Sequence, residues 1–252
     1  MIIATDNVSF GYGREPFMRG LSLGISEGSI CAVLGPNGSG KTTLLLLFLG
    51  LLLPKSGSVT VAGINTAAGR ERLKRCIGLV PQDESIPFAL SVFEYALLGR
   101  APHLGLLQQP GPEDRALAMA ALEQVGIPHL KDRPVTALSG GERQLSMVAR
   151  VIVQDPRILL MDEPTSHLDL ANTRRILAMM RILKGSGKTV VFSTHDPNAA
   201  TAVADQVVLL HRGAVVSVGR PREVMTGKTL SAVYGVPVEV RSVDGRPWVM
   251  VD

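Results

Sequence analysis

The sequence predicts an α/β fold: a core of buried strands and covering helices, with an antiparallel β region at its start and a helical segment inserted in its middle. Three observations predict it. A glycine-rich loop at residues 35–43 (GPNGSGKTT) stands between an apolar run and a helical pattern. Apolar runs without alternation recur near residues 29–34, 77–80, 158–161 and 190–193, as parallel strands covered on both faces require. From about 86 to 155 alternation disappears and helical spacing takes over.

Taken in order, residues 2–10 and 21–27 alternate loosely around the turn-rich GYGREP, and residues 59–61 add a short strand. The run 29–34 leads into the glycine loop, and residues 43–49 continue as a helix closed by Gly50. Residues 113–125 follow Pro112 with acids in their first turn, place Leu117, Ala121 and Val125 on one face, and end at Gly126. Leu145, Val148, Ala149 and Ile152 repeat the spacing in a helix that must stop before Pro156. A helix around Ile176, Leu177, Met180 and Leu183, ended by Gly185, joins the last two buried runs. Residues 207–210 and 214–218 flank the turn His211-Arg212-Gly213, and Asp244-Gly245 between 238–243 and 248–251 reads as a closing hairpin. The expected boundaries are a core of 1–85 and 156–235, a helical insertion of 86–155, and a tail of 236–252.

Composition narrows the class. At 46% hydrophobic residues and 19% charged ones, the chain has fewer charges than the usual quarter and apolar surface to offer partners. A net charge of +4 on this length reads as solubility rather than a nucleic-acid surface. Cys31 and Cys76 lack any C-x-x-C partner, so they read as reduced core thiols. The longest apolar run, residues 44–53, is broken by Gly50 and stopped at Pro54, short of the roughly 20 residues a spanning helix needs. No leader is evident at the start. His129 and His211 read as surface residues, and Met179 and Met180 as packing.

The glycine loop fits G-x-x-x-x-G-K-[ST], the phosphate loop, with Gly35, Gly40, Lys41 and Thr42 in the fixed places. A polyphosphate needs several backbone N–H groups turned inward, and Gly35, Gly38 and Gly40 permit that turn. Pro36, Asn37, Ser39 and Thr43 complete the cradle. Lys41 would reach the β- and γ-phosphates of ATP while the Thr42 hydroxyl ligates Mg²⁺. Downstream, ILLMDEP ends a buried run in two acids: Asp162 suits the Mg²⁺ shell and Glu163 a base acting on a water that attacks the γ-phosphate. Ser139 and Glu142, in LSGGE, have the spacing of a capping box at a helix start, and such an N-terminus is also an anion site.

With LSGGE the chain resembles the ABC ATPases, whose signature is LSGGQ, and it departs from that signature at Glu142. The resemblance covers nearly the whole chain, with the motifs in order. It implies an ABC ATPase nucleotide-binding domain, made of a phosphate-loop core, an antiparallel β subdomain and an inserted helical subdomain. It further implies that Tyr12 stacks on adenine, that Gln82 senses the γ-phosphate and metal, that Asp169 crosses a dimer interface, and that His195 contacts the γ-phosphate. Ser139, Gly140, Gly141 and Glu142 would then complete the nucleotide pocket of a second copy. The segment 91–105, SVFEYALLGRAPHLG, resembles the ATPases of importers for iron-siderophores, haem and cobalamin. Molybdate or tungstate importers use related ATPases, and a soluble ATPase of iron-sulfur assembly is the alternative. The importer resemblance implies a homodimer, polytopic permease subunits, an indirect link to a substrate-binding protein, no nucleic acid, and a peripheral place on the cytoplasmic face of the inner membrane.

Overall fold

The computed structural model describes residues 1–84, 86, 88–105 and 107–251. Strands β1 (Ile3–Phe10) and β2 (Met18–Ile25) precede β3 (Ile30–Leu34) and helix α1 (Lys41–Phe48). Next come β4 (Ser56–Val61), β5 (Ile64–Asn65), α2 (Arg70–Cys76) and β6 (Ile77–Val80). A helical layer follows: α3 (Val92–Leu97) running into a 3-10 turn at Leu98–His103, α4 (Pro112–Gln124) and α5 (Gly140–Gln154). The chain returns through β7 (Ile158–Met161), α6 (Leu170–Gly185), β8 (Thr189–Thr194), α7 (Pro197–Val203), β9 (Gln206–His211) and β10 (Ala214–Gly219). It closes with α8 (Pro221–Val224), α9 (Gly227–Tyr234), β11 (Val238–Val243) and β12 (Arg246–Val251).

The central sheet has the order β10-β9-β3-β8-β7-β6, parallel except for the β9–β10 hairpin. A second, antiparallel sheet has the order β2-β1-β4-β5. The lack of alternation in β3 follows from its position: Ile30, Ala32 and Leu34 enter one hydrophobic cluster and Cys31 and Val33 the other. One cluster joins the central sheet to the helical layer and the tail; the other, with Leu44, Leu45, Leu47 and Phe48 of α1, lies against the antiparallel sheet. Each such large side chain contributes about 1.5–3 kcal/mol on burial.

Three expectations are corrected. Leu117 is half exposed, while Ala118, Ala121, Leu122 and Val125 are buried. Ala121 and Val125 lie on the expected face; Leu117 alone points outward, and Ala118 and Leu122 complete the buried stripe. His211 is half-buried rather than on the surface, because the end of β9 packs under the glycine loop. Cys76 is only partly buried; Cys31 lies wholly in the core, and burial pushes its thiol up to about 12.

Candidate functional site

The parallel strands end at one edge of the sheet, and their C-terminal ends present the residues singled out above. The loop between β3 and α1 holds its turn through close approach. A Cβ on Gly35 would fall 2.3 Å from the carbonyl oxygen of Leu210. Gly40 has φ +102, and a Cβ there would lie 2.6 Å from Met18 and 2.9 Å from the Phe17 ring. Any other residue at these positions would displace the loop.

A cavity of about 700 Å³ opens over the loop, lined by Asn37, Gly38, Gly40, Lys41, Thr42 and Thr43, with Gln82, Glu163 and His195 facing them. Tyr12 and Phe17 form its apolar side. Tyr12 is 73% exposed, stands edge-on to Phe10 at 5.1 Å, and its hydroxyl pairs with that of Thr43 at 3.3 Å. Pro36 and Ser39 shape the loop from behind: the Pro36 carbonyl accepts from Ser39 N at 3.2 Å, and the Ser39 carbonyl accepts from Gly213 N at 3.0 Å.

Within the cavity the charged groups already engage one another. Lys41 Nζ donates to the carbonyls of Gly35 (3.0 Å) and Pro36 (3.2 Å) and lies 3.0 Å from Glu163 Oε1. Glu163 Oε2 accepts from Ser166 Oγ at 2.7 Å and from His195 Nδ1 at 2.8 Å. Burial pushes the Glu163 carboxyl up, but Ser166, Lys41 and His195 together outweigh it and hold it below the ordinary glutamate range. Its backbone is strained, with φ +43, and its N–H donates to Ser193 Oγ at 2.8 Å.

Asp162 fits a hard cation. It is 6% exposed, accepts from Thr42 Oγ1 (2.7 Å) and Ser193 Oγ (2.5 Å), and has no basic partner among the described residues. A buried carboxylate beside hydroxyls and no counter-charge is costly unless a cation joins it, and this all-oxygen donor set matches Mg²⁺. Gln82 reaches the same cavity.

The structure does not bring the signature segment or Asp169 to this cavity. Ser139 caps α5: its Oγ accepts from Glu142 N at 3.3 Å, and Glu142 Oε2 accepts from Ser139 N at 2.8 Å. These bonds hold the Glu142 carboxyl below its ordinary range. Gly140 faces open space, whereas Gly141 lies so close to Asn172 that a Cβ would meet its amide at 2.4 Å. Asp169 caps α6 by accepting from Asn172 N at 2.7 Å.

Sequence reasoning missed Phe17, Ser166, His167 and Ser193, which line the cavity or hold its acids. It also missed Glu84, two residues beyond Gln82. Arg150 of α5 bonds Glu84 at 2.7 Å and lies 4.9 Å over the Tyr95 ring, whose hydroxyl donates to the same carboxylate. Residues of the segment 91–105 have internal partners: Glu94 caps α3 through Ser91, Arg100 pairs with Asp114, and His103 Nε2 meets the Gln154 carbonyl at 2.8 Å. Only the spacing of Ser91 and Glu94, a capping box, could have revealed any of these.

Residues 18–166 match the ABC transporter family model. The chain is 38% identical over 238 residues to the molybdate import ATP-binding protein MolC of Haemophilus influenzae, covering 94% of this chain and 89% of that one. It is 40% identical over 224 residues to the hemin import ATP-binding protein HmuV of Gloeobacter violaceus, covering 86% and 81%. Among solved structures it superposes on a metal-chelate type ABC transporter in an inward-facing conformation, with TM-score 0.88, 35% identity, and 100% and 97% of the two chains covered. Cavity, fold and likeness agree: the chain belongs to the ABC transporter family, as the ATP-hydrolysing subunit of an importer.

Proposed function

We propose that this subunit powers uptake of a metal chelate of the iron-siderophore, haem or cobalamin class, and that its active site is completed by a second copy of the chain. The site is divided between two faces of the chain. The phosphate loop, Glu163, Gln82 and His195 share one cavity, and Asp162 is bonded to Thr42 at its wall, while the Ser139–Glu142 segment caps a helix outside it.

In this reading the loop amides and Lys41 hold the β- and γ-phosphates of ATP, and Tyr12 stacks on the base. Thr42, Gln82 and Asp162 would hold Mg²⁺, which would supply charge neutralisation at the transferring phosphate. Glu163 takes the proton of the attacking water, and His195, bonded to it, keeps the carboxylate oriented. The partner copy places Ser139, Gly140, Gly141 and Glu142 against the γ-phosphate, with Asp169 at the interface. Phosphate release lets the copies part, and the network of Glu84, Tyr95 and Arg150 ties the Gln82 segment to the helical layer that drives the permease.

Among the described residues no helix is long and apolar enough to cross a membrane; in this reading the substrate crosses through a polytopic permease that the subunit powers. A cavity of about 1050 Å³ between α2 and the 3-10 turn, lined by Arg72, Arg75, Pro102 and Leu104, is the groove proposed to receive it, at the cytoplasmic face of the inner membrane. A substrate-binding protein would act from the far side. The metal-chelate transporter supports the substrate class; the likeness to MolC favours molybdate or tungstate as the second reading. Uptake of radioiron-loaded siderophore, haem and molybdate in a deletion strain decides between them. Loss of molybdate uptake alone would select the second. Failure to co-purify any permease would favour a soluble role in iron-sulfur assembly.

A further inference from the structure

A strongly basic cleft lies away from the nucleotide cavity. Its volume is about 920 Å³, and it is walled by the end of α6, the end of α7, α8 and the turn of the tail hairpin. Arg181, Lys184, Arg220, Arg222 and Arg246 line it, against one acid, Asp205. Asp205 is already committed: its carboxylate accepts from Lys184 Nζ at 2.6 Å and from Ile30 N at 2.8 Å. The four arginines have no carboxylate partner among the described residues. Arg181 and Arg246, from elements far apart in sequence, both donate to one oxygen, the carbonyl of Ala202, at 2.7 and 2.6 Å. Two guanidiniums on one neutral acceptor repel each other and are stabilised by a shared anion.

We propose that this cleft binds a free multivalent oxyanion of the phosphate type. Arginine's planar fork suits such oxygens, and a concave cleft fits a compact anion better than the flat surface of a bilayer. The site is separate from the phosphate loop: Ile30, which lines the cleft, starts β3, while the loop follows its last residue, roughly 13 Å away along the strand. Occupancy would fasten the tail to the end of α7, the helix whose start follows His195. The tail already grips the segment after His195, where Asn198 exchanges two hydrogen bonds with the Val249 backbone, at 3.0 and 2.9 Å, and at the end of α9, just before the tail, Tyr234 donates to the His195 carbonyl at 3.0 Å.

Calorimetric titration of the full chain with sodium pyrophosphate at low salt tests this, in Lys41→Ala protein so that the phosphate loop contributes little. Adding Arg181→Ala and Arg246→Ala together is expected to weaken binding by at least about tenfold, the loss of one charge-assisted hydrogen bond. Arg115→Ala with Lys131→Ala, which removes the same charge elsewhere, should leave affinity unchanged. Arg222→Glu gives an independent disruption that spares the Ala202 carbonyl. In hydrogen exchange, pyrophosphate should slow residues 201–205 and 241–247. Equal affinity with and without the arginine pair, or protection confined to residues 35–43, would overturn the proposal. Co-sedimentation with phosphatidylglycerol vesicles that the pair abolishes, without pyrophosphate binding, would assign the cleft to a lipid headgroup instead.

Discussion

Lys41 and Glu163 face each other across the nucleotide cavity at 3.0 Å, so the residue expected to hold phosphate and the residue expected to deprotonate water neutralise one another. Lys41 helps to depress the Glu163 carboxyl. Once phosphate oxygens draw the ammonium away, that influence fades and the carboxylate becomes a stronger base. Under the proposed mechanism the pair would couple substrate arrival to the strength of the base.

Replacing Glu163 by glutamine keeps the shape and removes the base. ATP binding is expected to persist while hydrolysis slows at least about a hundredfold, the low end for a general base. Phosphate release measured beside equilibrium nucleotide binding checks this, and unchanged turnover would sink the assignment.

The same substitution makes the pH dependence of stability readable. Because the folded Glu163 carboxyl lies below its ordinary value, its stabilisation is fully present above about pH 4.3, the unfolded value. It is lost as pH falls through the lower folded value. Thermal melts of wild type and Glu163→Gln should therefore differ by a constant amount near neutrality and converge in acid. A gap that widens with acidification would mean the carboxyl is raised instead.

Neighbouring glycines separate structural from functional roles in the signature segment. Gly141→Ala must displace Asn172, which bonds the cap of α6, and is expected to cost about 0.5–2 kcal/mol in urea unfolding. Gly140→Ala meets nothing within 4 Å and should be neutral or stabilising by up to about 1 kcal/mol. Its ATPase should nevertheless fall if the segment contacts the partner's nucleotide. Full activity in Gly140→Ala would count against that contact.

Arg150→Ala removes the partner of Glu84 and of the Tyr95 ring, with an expected loss of about 1–3 kcal/mol. Tyr95→Phe deletes a single hydroxyl and should cost about 1 kcal/mol. Chemical denaturation midpoints give both values, and an Arg150→Ala protein as stable as wild type would show that the network contributes nothing.

The phosphate loop and the Asp162-Glu163 pair were legible because their chemistry is local in sequence: glycines within a turn, acids at the end of an apolar run. Ser193 and Ser166 were not, because each matters only through a carboxylate that the fold brings to it. Phe17 reads as one apolar residue in a turn until the loop at Gly40 packs against its ring. On α4 the spacing finds Ala121 and Val125 but takes Leu117 for Ala118, because a large apolar residue reads as core until the packing partners of the helix are known. The pattern in 91–105 resembled a family segment, yet Glu94, Arg100 and His103 serve the construction of the helical layer.

The placement of Ser139–Glu142 outside the cavity has a kinetic meaning. A centre shared between two identical chains obeys a second-order law: diluting the free subunit lowers the rate per molecule, not merely the total. Two permease-bound copies are held at an effective concentration in the millimolar range for short flexible connections. Under the proposed arrangement ATP consumption is thereby confined to assembled transporters, and unassembled subunits stay idle without any inhibitor.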